Sequence, residues 1–285
     1  MSASLLSKPA GEERSHPRFA STTSRREDIT MMSTMRCLGL LAFSASILAA
    51  PRLHAEGEHH WSYSGDTGPA HWAAVEADYG ACGLGKLQSP IDIRDSVATK
   101  GALPAIAFDY KPSALKIIDN GHTIQVNYAP GSFITVEGKR YELVQFHFHK
   151  PSEEKINGKH ADMVAHLVHK DGDGNLAVVA VLLKSGQPNR LVETLWKNLP
   201  RQKEKEVAVE SVEVNAADLL PANRTAYYTF AGSLTTPPCS EGVTWFVMKS
   251  PSSVSSGEVA RFAQLYPMNA RPTQPLNGRE IRVTQ

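Results

Sequence analysis

The chain has 285 residues, a formal net charge of +1, and hydrophobic and charged shares of 41% and 21%. These values are ordinary for a globular protein, and a chain of this length can bury a sizeable core. The near-zero net charge and the lack of a Lys/Arg stripe with interleaved aromatic residues argue against a nucleic-acid-binding protein.

A polar N-terminal extension followed by a cleavable signal peptide is predicted for residues 1–55. Residues 1–30 are polar and mixed in charge, and Arg36 precedes an apolar run at 37–50. That run has the length of a signal-peptide h-region and is too short to span a bilayer. A buried helix of the folded domain is the alternative interpretation of the same run.

Export of the mature chain follows from the signal-peptide interpretation. Cleavage is expected just before Glu56, with cleavage after Ala50 as the alternative. The true start is expected at one of three methionines, Met31, Met32 or Met35. No lipobox cysteine follows the apolar run, so we expect no membrane anchor. A periplasmic or secreted location is therefore predicted.

The number of cysteines agrees with export. Signal-peptide cleavage would remove Cys37 and leave Cys82 and Cys239. Two cysteines in an oxidising compartment often pair. The chain-entropy model gives a bridge across so long a loop roughly 4–5 kcal/mol of stabilisation. Two free buried thiols are the alternative at this point.

A single β-rich domain is predicted for residues 56–285, because no repeat, low-complexity tract or linker divides them. Short runs rich in β-branched and aromatic residues predict strands at 123–128, 141–149, 163–169, 176–183 and 243–248. Asn-Gly and Asp-Gly pairs predict turns at 120–121, 157–158 and 171–174. Helical patterns are few: 191–199, and 256–265 behind an N-cap at Ser255 or Ser256.

Strand alternation brings two histidines to one face of the predicted strand at 141–149. Side chains two positions apart point the same way, so His147 and His149 share a face with Leu143 and Gln145. The opposite face is apolar and suits the core: Val144, Phe146 and Phe148. Two imidazoles at positions i and i+2 can converge on one metal ion.

A third ligand must come from a neighbouring element, and the strand at 163–169 is expected to pair antiparallel. His166 and His169 point to opposite faces of that strand, so only one of them can join the pair. Three imidazoles without cysteine suit a catalytic zinc, because the fourth position stays open for water. Imidazole also suits copper, nickel or iron. Ordinary surface or core histidines are the alternative.

Several short motifs follow one another along the chain. They are WSY at 61–63, GPAHW at 68–72, QSPIDI at 88–93, NGH at 120–122, QFHFH at 145–149, SE at 152–153, AHLVH at 165–169 and GSLTTPP at 232–238. In this order they resemble the α-class carbonic anhydrases, and the resemblance runs from about Trp61 to Arg282. The cysteine pair resembles the disulfide of the bacterial, periplasmic branch of that family.

The resemblance implies a fold and a reaction. The fold would be mainly β, of the α+β type: a single domain around a large, mostly antiparallel twisted sheet with a few short peripheral helices. The reaction would be reversible hydration of carbon dioxide to bicarbonate and a proton, through attack of zinc hydroxide on CO2 and proton transfer by histidine. Inorganic anions and sulfonamides would inhibit it, weak esterase activity would accompany it, and the enzyme would be a monomer or homodimer.

The resemblance also implies the roles of site residues. His147, His149 and His166 would bind Zn²⁺, His122 would be the proton shuttle, and Thr235 would donate to Glu153 while orienting the nucleophile. The substrate side of the cavity would comprise Val168, Val178, Leu234, Thr235, Thr236, Val243 and Trp245. Its polar side would comprise Tyr63, Asn120, Gln125 and Gln145.

Two positions depart from the family pattern. Many members have histidine at the position of Glu154, where we expect a local change without loss of activity. Many members have glutamate at the position of Val164, where it fixes the tautomer of a zinc histidine. Losing such a hydrogen-bond partner weakens metal binding about tenfold or more. Either another acceptor replaces that glutamate or zinc is bound less tightly, and we expect weaker binding than in relatives that keep it.

Three other classes of function compete with this interpretation. A non-catalytic binding module of the same family would lack one or more metal histidines, whereas all three are present here. A zinc esterase would use the same site. A metal-storing protein would need a fourth protein ligand, for which the sequence offers no good candidate.

Overall fold

The computed structural model describes residues 60–285. The predicted extension, h-region and cleavage sites lie outside the described residues. No helix within 60–285 is long and apolar enough to cross a membrane.

A large twisted sheet forms the frame of the described part of the chain. The strands are β1 Asp92–Ile93, β2 Thr99–Gly101, β3 Ala107–Asp109, β4 Ser113–Asp119, β5 Ile124–Asn127, β6 Phe133–Val136, β7 Lys139–His149, β8 Lys155–Ile156, β9 Lys159–His160, β10 Met163–Lys170, β11 Leu176–Ser185, β12 Val207–Val214, β13 Tyr227–Ser233, β14 Glu241–Met248, β15 Ser252–Val254 and β16 Arg282–Thr284. Thirteen of these strands form one sheet, and β1, β8 and β9 form a small second sheet.

The order across the large sheet is β12-β4-β5-β7-β10-β11-β14-β13-β16-β2, with β6 also beside β7, β3 beside β6 and β15 beside β11. Most neighbours pair antiparallel; the exceptions in this sheet are β11 with β14 and β15, and β16 with β2. The predicted fold class is therefore confirmed. The order places β7, β10, β11 and β14 side by side at the centre of the sheet.

The helices are short and peripheral, as predicted. They are α1 Trp72–Val75, α2 Ala81–Leu84, α3 Arg190–Lys197 and α4 Ser256–Leu265, with 3-10 turns at Gly65–Thr67, Ala77–Tyr79 and Ala216–Leu219. Helix α4 begins behind the predicted cap, where Ser255 and Glu258 form a capping box. Helix α3 is capped by Asn189 and ends two residues before the predicted 199.

The central strands are buried on both faces of the sheet. Along β11, Val179 and Val181 belong to the larger hydrophobic cluster that also holds residues of α3 and α4. Val178 and Ala180 belong to the second cluster, on the other face. Two covered faces explain why residues 176–183 form one continuous apolar run instead of an alternating one.

The predicted faces of β7 are correct only for its C-terminal half. In the register with β10, Gln145 lies opposite Val168 and Leu143 opposite His169, so Val144 is an extra residue without a partner. Leu143 is buried in the larger core, whereas Val144 is 42% exposed. Placing Leu143 on the histidine face and Val144 in the core is therefore wrong. The physical reason is a β-bulge, which shifts the alternation by one residue.

The predicted disulfide between Cys82 and Cys239 is confirmed. It joins helix α2 to the loop after β13, across a sequence separation of 157 residues. Both half-cystines are buried against Trp72 in a small cluster that Trp61 and other N-terminal aromatic residues extend. This bridge fixes the N-terminal segment of the domain beside the loop that carries Thr235.

Candidate metal centre and active-site cavity

Strands β7 and β10 bring three histidines together. His147 lies opposite His166 in the antiparallel register, and His149 lies two residues along β7 on the same face. The three rings offer nitrogen atoms that all lie within 4.8 Å of one another. His169 is excluded, since it lies on the opposite face of β10, where its Nε2 is 2.7 Å from the hydroxyl of partly buried Tyr110. The triad predicted from alternation and resemblance is therefore assembled by the fold.

The two β7 histidines are held by oxygen acceptors on their Nδ1 atoms. Nδ1 of His147 is 2.8 Å from Oε1 of Gln145. Nδ1 of His149 is 2.7 Å from the backbone carbonyl of Asn269. Because an acceptor requires an N–H on the nitrogen it faces, each Nε2 keeps its lone pair for a metal. Nε2 of His149 is buried with no hydrogen-bond partner.

In His166 the nitrogen that faces an oxygen acceptor is Nε2 and not Nδ1. That nitrogen lies 2.9 Å from Oε1 of Glu154, and both side chains are buried. The Nδ1 of His166 is thereby left as the nitrogen facing the other two histidines, 3.8 Å from Oε2 of Glu153. A hydrogen-bond acceptor is thus present at His166 although residue 164 is valine. Weaker zinc binding was expected because such an acceptor seemed to be missing, and that assumption is wrong.

The electrostatics of the triad suit a bound cation. Burial, and then the neighbouring His166, lower the pKa of His147 to about 3. Burial followed by His166 and His147 holds the pKa of His149 well below its ordinary value. Burial also lowers the pKa of His166, but Glu154 and Glu153 outweigh it, so the net direction is upward. The two β7 imidazoles are therefore neutral near pH 7, and the unpartnered buried Nε2 of His149 fits Zn²⁺, which binds the deprotonated ring.

Glu153 lies beside the triad in a fully buried position. Its Oε1 accepts a hydrogen bond of 2.8 Å from the backbone N–H of Arg271, and its Oε2 is 3.5 Å from Nε2 of His149. Burial raises its pKa to about 7, with Glu154 adding to the rise, while His166, the Thr235 hydroxyl and the Arg271 N–H act against it. The Thr235 hydroxyl lies near this carboxylate, while Oε2 of Glu153 is buried without a hydrogen-bond partner.

A small cavity of about 110 Å³ opens onto two of the three histidines, His147 and His149. It is lined by Trp61, Tyr63, Asn120, His122, Thr123, Gln125, Gln145, His147, His149 and Thr236. Amides form a row along one side, where Asn120 Nδ2 donates to Gln125 Oε1 over 3.3 Å. All four residues of the predicted polar side therefore share this cavity. A larger cavity of about 530 Å³ also touches Tyr63 but contains none of the triad.

His122 lies at the aromatic edge of the small cavity. Its ring stacks on Trp61 with 3.6 Å between centroids, and on His60 with 4.6 Å. Burial, and then the charges of His60 and Lys203, lower the pKa of His122 to about 4, while Asp119 acts in the opposite direction. In this orientation the imidazole is a weak base at neutral pH.

The predicted apolar residues gather on the other side of the triad. Trp245 stands edge-on to His166 with 4.9 Å between ring centroids. In the strand register, Val178 pairs with both Val168 and Trp245. Three of the five predicted apolar residues belong to one buried hydrophobic cluster, Val178, Val243 and Trp245, and the partly buried Val168 and Leu234 pack against it. The site thus has an apolar side next to His166 and a polar side next to His147.

Sequence reasoning missed the segment between α4 and β16. Asn269 and Arg271 in that segment contact His149 and Glu153 through backbone atoms. A backbone carbonyl or N–H can come from any residue type, so no residue pattern marks it. Trp61 belongs to a sequence motif that implies no role for it, because its stacking on His122 is a tertiary contact.

Comparison with known proteins adds independent observations. A family model described as eukaryotic-type carbonic anhydrase matches residues 67–285. A carbonic anhydrase from Neisseria gonorrhoeae is 40% identical over 272 residues, which cover 93% of this chain and 99% of the relative. A solved α-carbonic anhydrase from Thermovibrio ammonificans, in complex with sulfanilamide, is 42% identical with a TM-score of 0.76, covering 79% of this chain and 100% of that one. A carbonic anhydrase from Chlamydomonas reinhardtii, in complex with acetazolamide, is 33% identical with a TM-score of 0.71, covering 79% and 99%.

Proposed function

The chain is an enzyme of the eukaryotic-type, or α-class, carbonic anhydrase family, and we propose that it hydrates carbon dioxide reversibly at a zinc ion held by His147, His149 and His166. One observation carries the proposal: each ring has an oxygen acceptor on its outer nitrogen, and the three rings offer nitrogens within 4.8 Å of one another. Three imidazoles bind zinc and leave one position open. When bound, zinc lowers the pKa of a coordinated water to about 7, the value established for carbonic anhydrases in general.

Thr235 and Glu153 orient the attacking oxygen in this proposal. The Thr235 hydroxyl donates its one proton to the Glu153 carboxylate, so it can only accept a hydrogen bond from the nucleophile. That acceptance directs a lone pair of the attacking oxygen towards carbon dioxide. The backbone N–H of Arg271 supports the arrangement, since its 2.8 Å hydrogen bond fixes the other oxygen of Glu153.

The apolar side of the site receives the substrate. Carbon dioxide is linear and has no net charge, so a surface of Val178, Val243 and Trp245 beside His166 suits it better than polar groups do. The backbone N–H of Thr235, with Thr236 at the cavity, is proposed to hold bicarbonate or an inhibitory anion. Sulfonamides are proposed to bind at the same place, a view that the sulfanilamide and acetazolamide complexes of two relatives support.

Residues 56–285 are proposed to be the catalytic domain, exported to the periplasm or secreted after removal of a signal peptide within residues 1–55. The disulfide supports this location, because such bridges persist in oxidising compartments. The mature enzyme is proposed to act without a membrane anchor, as a monomer or homodimer. Weak hydrolysis of activated esters is expected as a side activity of the same zinc site.

Stopped-flow CO2 hydration tests the proposed reaction directly. The purified, zinc-loaded protein is expected to hydrate CO2 far above the buffer rate, and acetazolamide is expected to abolish the difference. Removing zinc with a chelator should return the rate to that of buffer, and adding zinc back should restore it. A zinc-loaded protein with no rate above buffer would contradict the proposal.

His122→Ala tests the proposed proton shuttle. At low buffer concentration turnover is expected to fall by about 10- to 100-fold. General acid–base catalysis contributes about 100- to 10,000-fold, and we expect an effect at or below the lower limit of that range because the pKa of the stacked imidazole is only about 4. The exchange of CO2 with bicarbonate at chemical equilibrium, which needs no proton release, should change little. Imidazole buffer should restore turnover, and a variant that imidazole cannot rescue would disprove the assignment.

A further inference from the structure

Two substitutions that look like separate departures from the family pattern meet at one histidine. Residue 164 is valine where many members have the glutamate that supports a zinc histidine, and residue 154 is glutamate where many have histidine. Oε1 of Glu154 lies 2.9 Å from Nε2 of His166, and both side chains are buried. We infer that Glu154 is the positioning residue for His166 and that its carboxylate, coming from the loop before β8, replaces the one usually supplied by β10.

The loop that carries Glu154 is held in place by its own hydrogen bonds. The Ser152 hydroxyl donates to the backbone carbonyl of Glu154 over 2.7 Å, and the N–H of Ala161 donates to the same hydroxyl over 2.8 Å. The next residue, Lys155, donates its N–H to the carbonyl of Ile91. Ser152 is itself fully buried. The carboxylate therefore reaches His166 from a fixed backbone.

Residue 164 could not carry a second supporting carboxylate without cost. Val164 is fully buried in the apolar cluster on the triad's side of the sheet, opposite His149 on β7. It shares a face of β10 with His166, two residues along. A glutamate there would add a third buried carboxylate near Glu153 and Glu154, and like charges in a buried site repel each other. Valine at 164 and glutamate at 154 are thus two coupled substitutions, which together move the supporting carboxylate from position 164 to position 154; we call this the exchange.

The exchange keeps the charge that a divalent cation needs. Glu153 and Glu154 are the two buried carboxylates beside the three histidines, so one Zn²⁺ would balance both. Glu154 also fixes the tautomer of His166: by accepting from Nε2 it leaves Nδ1 free for the metal and makes the ring a stronger ligand. The inference rests on the proposed zinc site and names the residue that completes it.

Zinc affinity, measured by competition with a chromophoric chelator, tests this role without reference to activity. Glu154→Gln keeps the size of the side chain and removes its charge, and we expect the zinc Kd to rise about 10- to 100-fold. In the zinc-loaded protein, the nitrogen-bound proton of His166 should shift upfield in NMR spectra because its acceptor is weaker. Should Glu154→Gln fold poorly, Glu154→Asp, which withdraws the acceptor, is expected to weaken zinc binding similarly.

Glu258→Gln is the matched control. Glu258 is also a buried glutamate, but it accepts hydrogen bonds from the backbone of Asn189 and Ser255 at helix α4. Its replacement should lower stability and leave the zinc Kd unchanged. A wild-type Kd in Glu154→Gln, or an equal change in both variants, would overturn the inference. Failure of the wild-type protein to bind zinc would instead refute the proposed function.

A second experiment reverses the exchange by returning a glutamate to position 164. Val164→Glu alone should weaken folding, because it buries a third carboxylate. The same change in the Glu154→Gln background should recover zinc affinity, since one supporting carboxylate is again present. Further weakening of zinc binding in the double variant would overturn the equivalence of the two positions.

Discussion

His166→Ala is expected to abolish zinc binding and CO2 hydration. The change removes one of three proposed ligands, so the loss should exceed the 10- to 100-fold cost of losing an outer hydrogen-bond partner, and activity should fall to background. It also leaves Glu153 and Glu154 buried without the imidazole between them, which should destabilise the apo-protein near neutral pH. Zinc content and stopped-flow rates measure the first effect, and thermal unfolding the second.

His169→Ala provides a matched control on the same strand. His169 is as buried as His166 but points to the other face of β10, where it pairs with the Tyr110 hydroxyl. Its loss leaves that hydroxyl unpaired, so we expect about 1–3 kcal/mol less stability. Zinc content and the hydration rate per folded molecule should stay at the wild-type level. Loss of zinc from His169→Ala with retention in His166→Ala would reverse the ligand assignment.

Removing the disulfide is expected to have the second-largest effect. The bridge closes a loop of 157 residues, and the chain-entropy model predicts that replacing both cysteines by serine costs up to about 4–5 kcal/mol. For a domain of this size each kcal/mol lowers the Tm by about 2–4 °C, so the full 4–5 kcal/mol would lower it by about 8–20 °C. Calorimetry or circular dichroism of the Cys82→Ser/Cys239→Ser variant measures it.

The same change should also disturb the active site. A guanidinium nitrogen of Arg271 donates to the carbonyl of Cys82 over 2.9 Å, while the backbone N–H of Arg271 holds Glu153. Gln88 donates to the carbonyl of Cys239 over 3.0 Å.

Reductant should bring the wild-type Tm towards that of the double variant and leave the Tm of the variant unchanged. Equal Tm values in oxidising buffer would show that the bridge contributes nothing to stability.

The sequence by itself determined the features that depend on local backbone geometry. Alternation of side chains selected His147 and His149 and showed that His166 and His169 cannot both join them, because the period of two is a property of any extended strand. The N-cap of helix α4 was narrowed to Ser255 or Ser256, because a cap lies next to the first helical residue; the structure selects Ser255. The cysteine pair was predictable because residues 56–285 contain only two cysteines.

Only the tertiary structure decided the features that join distant parts of the chain. The bulge at Val144 arises from how β7 pairs with β10, so alternation along β7 alone placed Leu143 and Val144 on the wrong faces. The acceptor for His149 is a backbone carbonyl 120 residues away, which no residue pattern encodes. The sequence showed that Val164 lacks the usual carboxylate and left two outcomes open. The contact between Glu154 and His166 supplies an acceptor that alternation could not predict, because a loop 12 residues before a strand position reaches it only after the sheet and loop have folded.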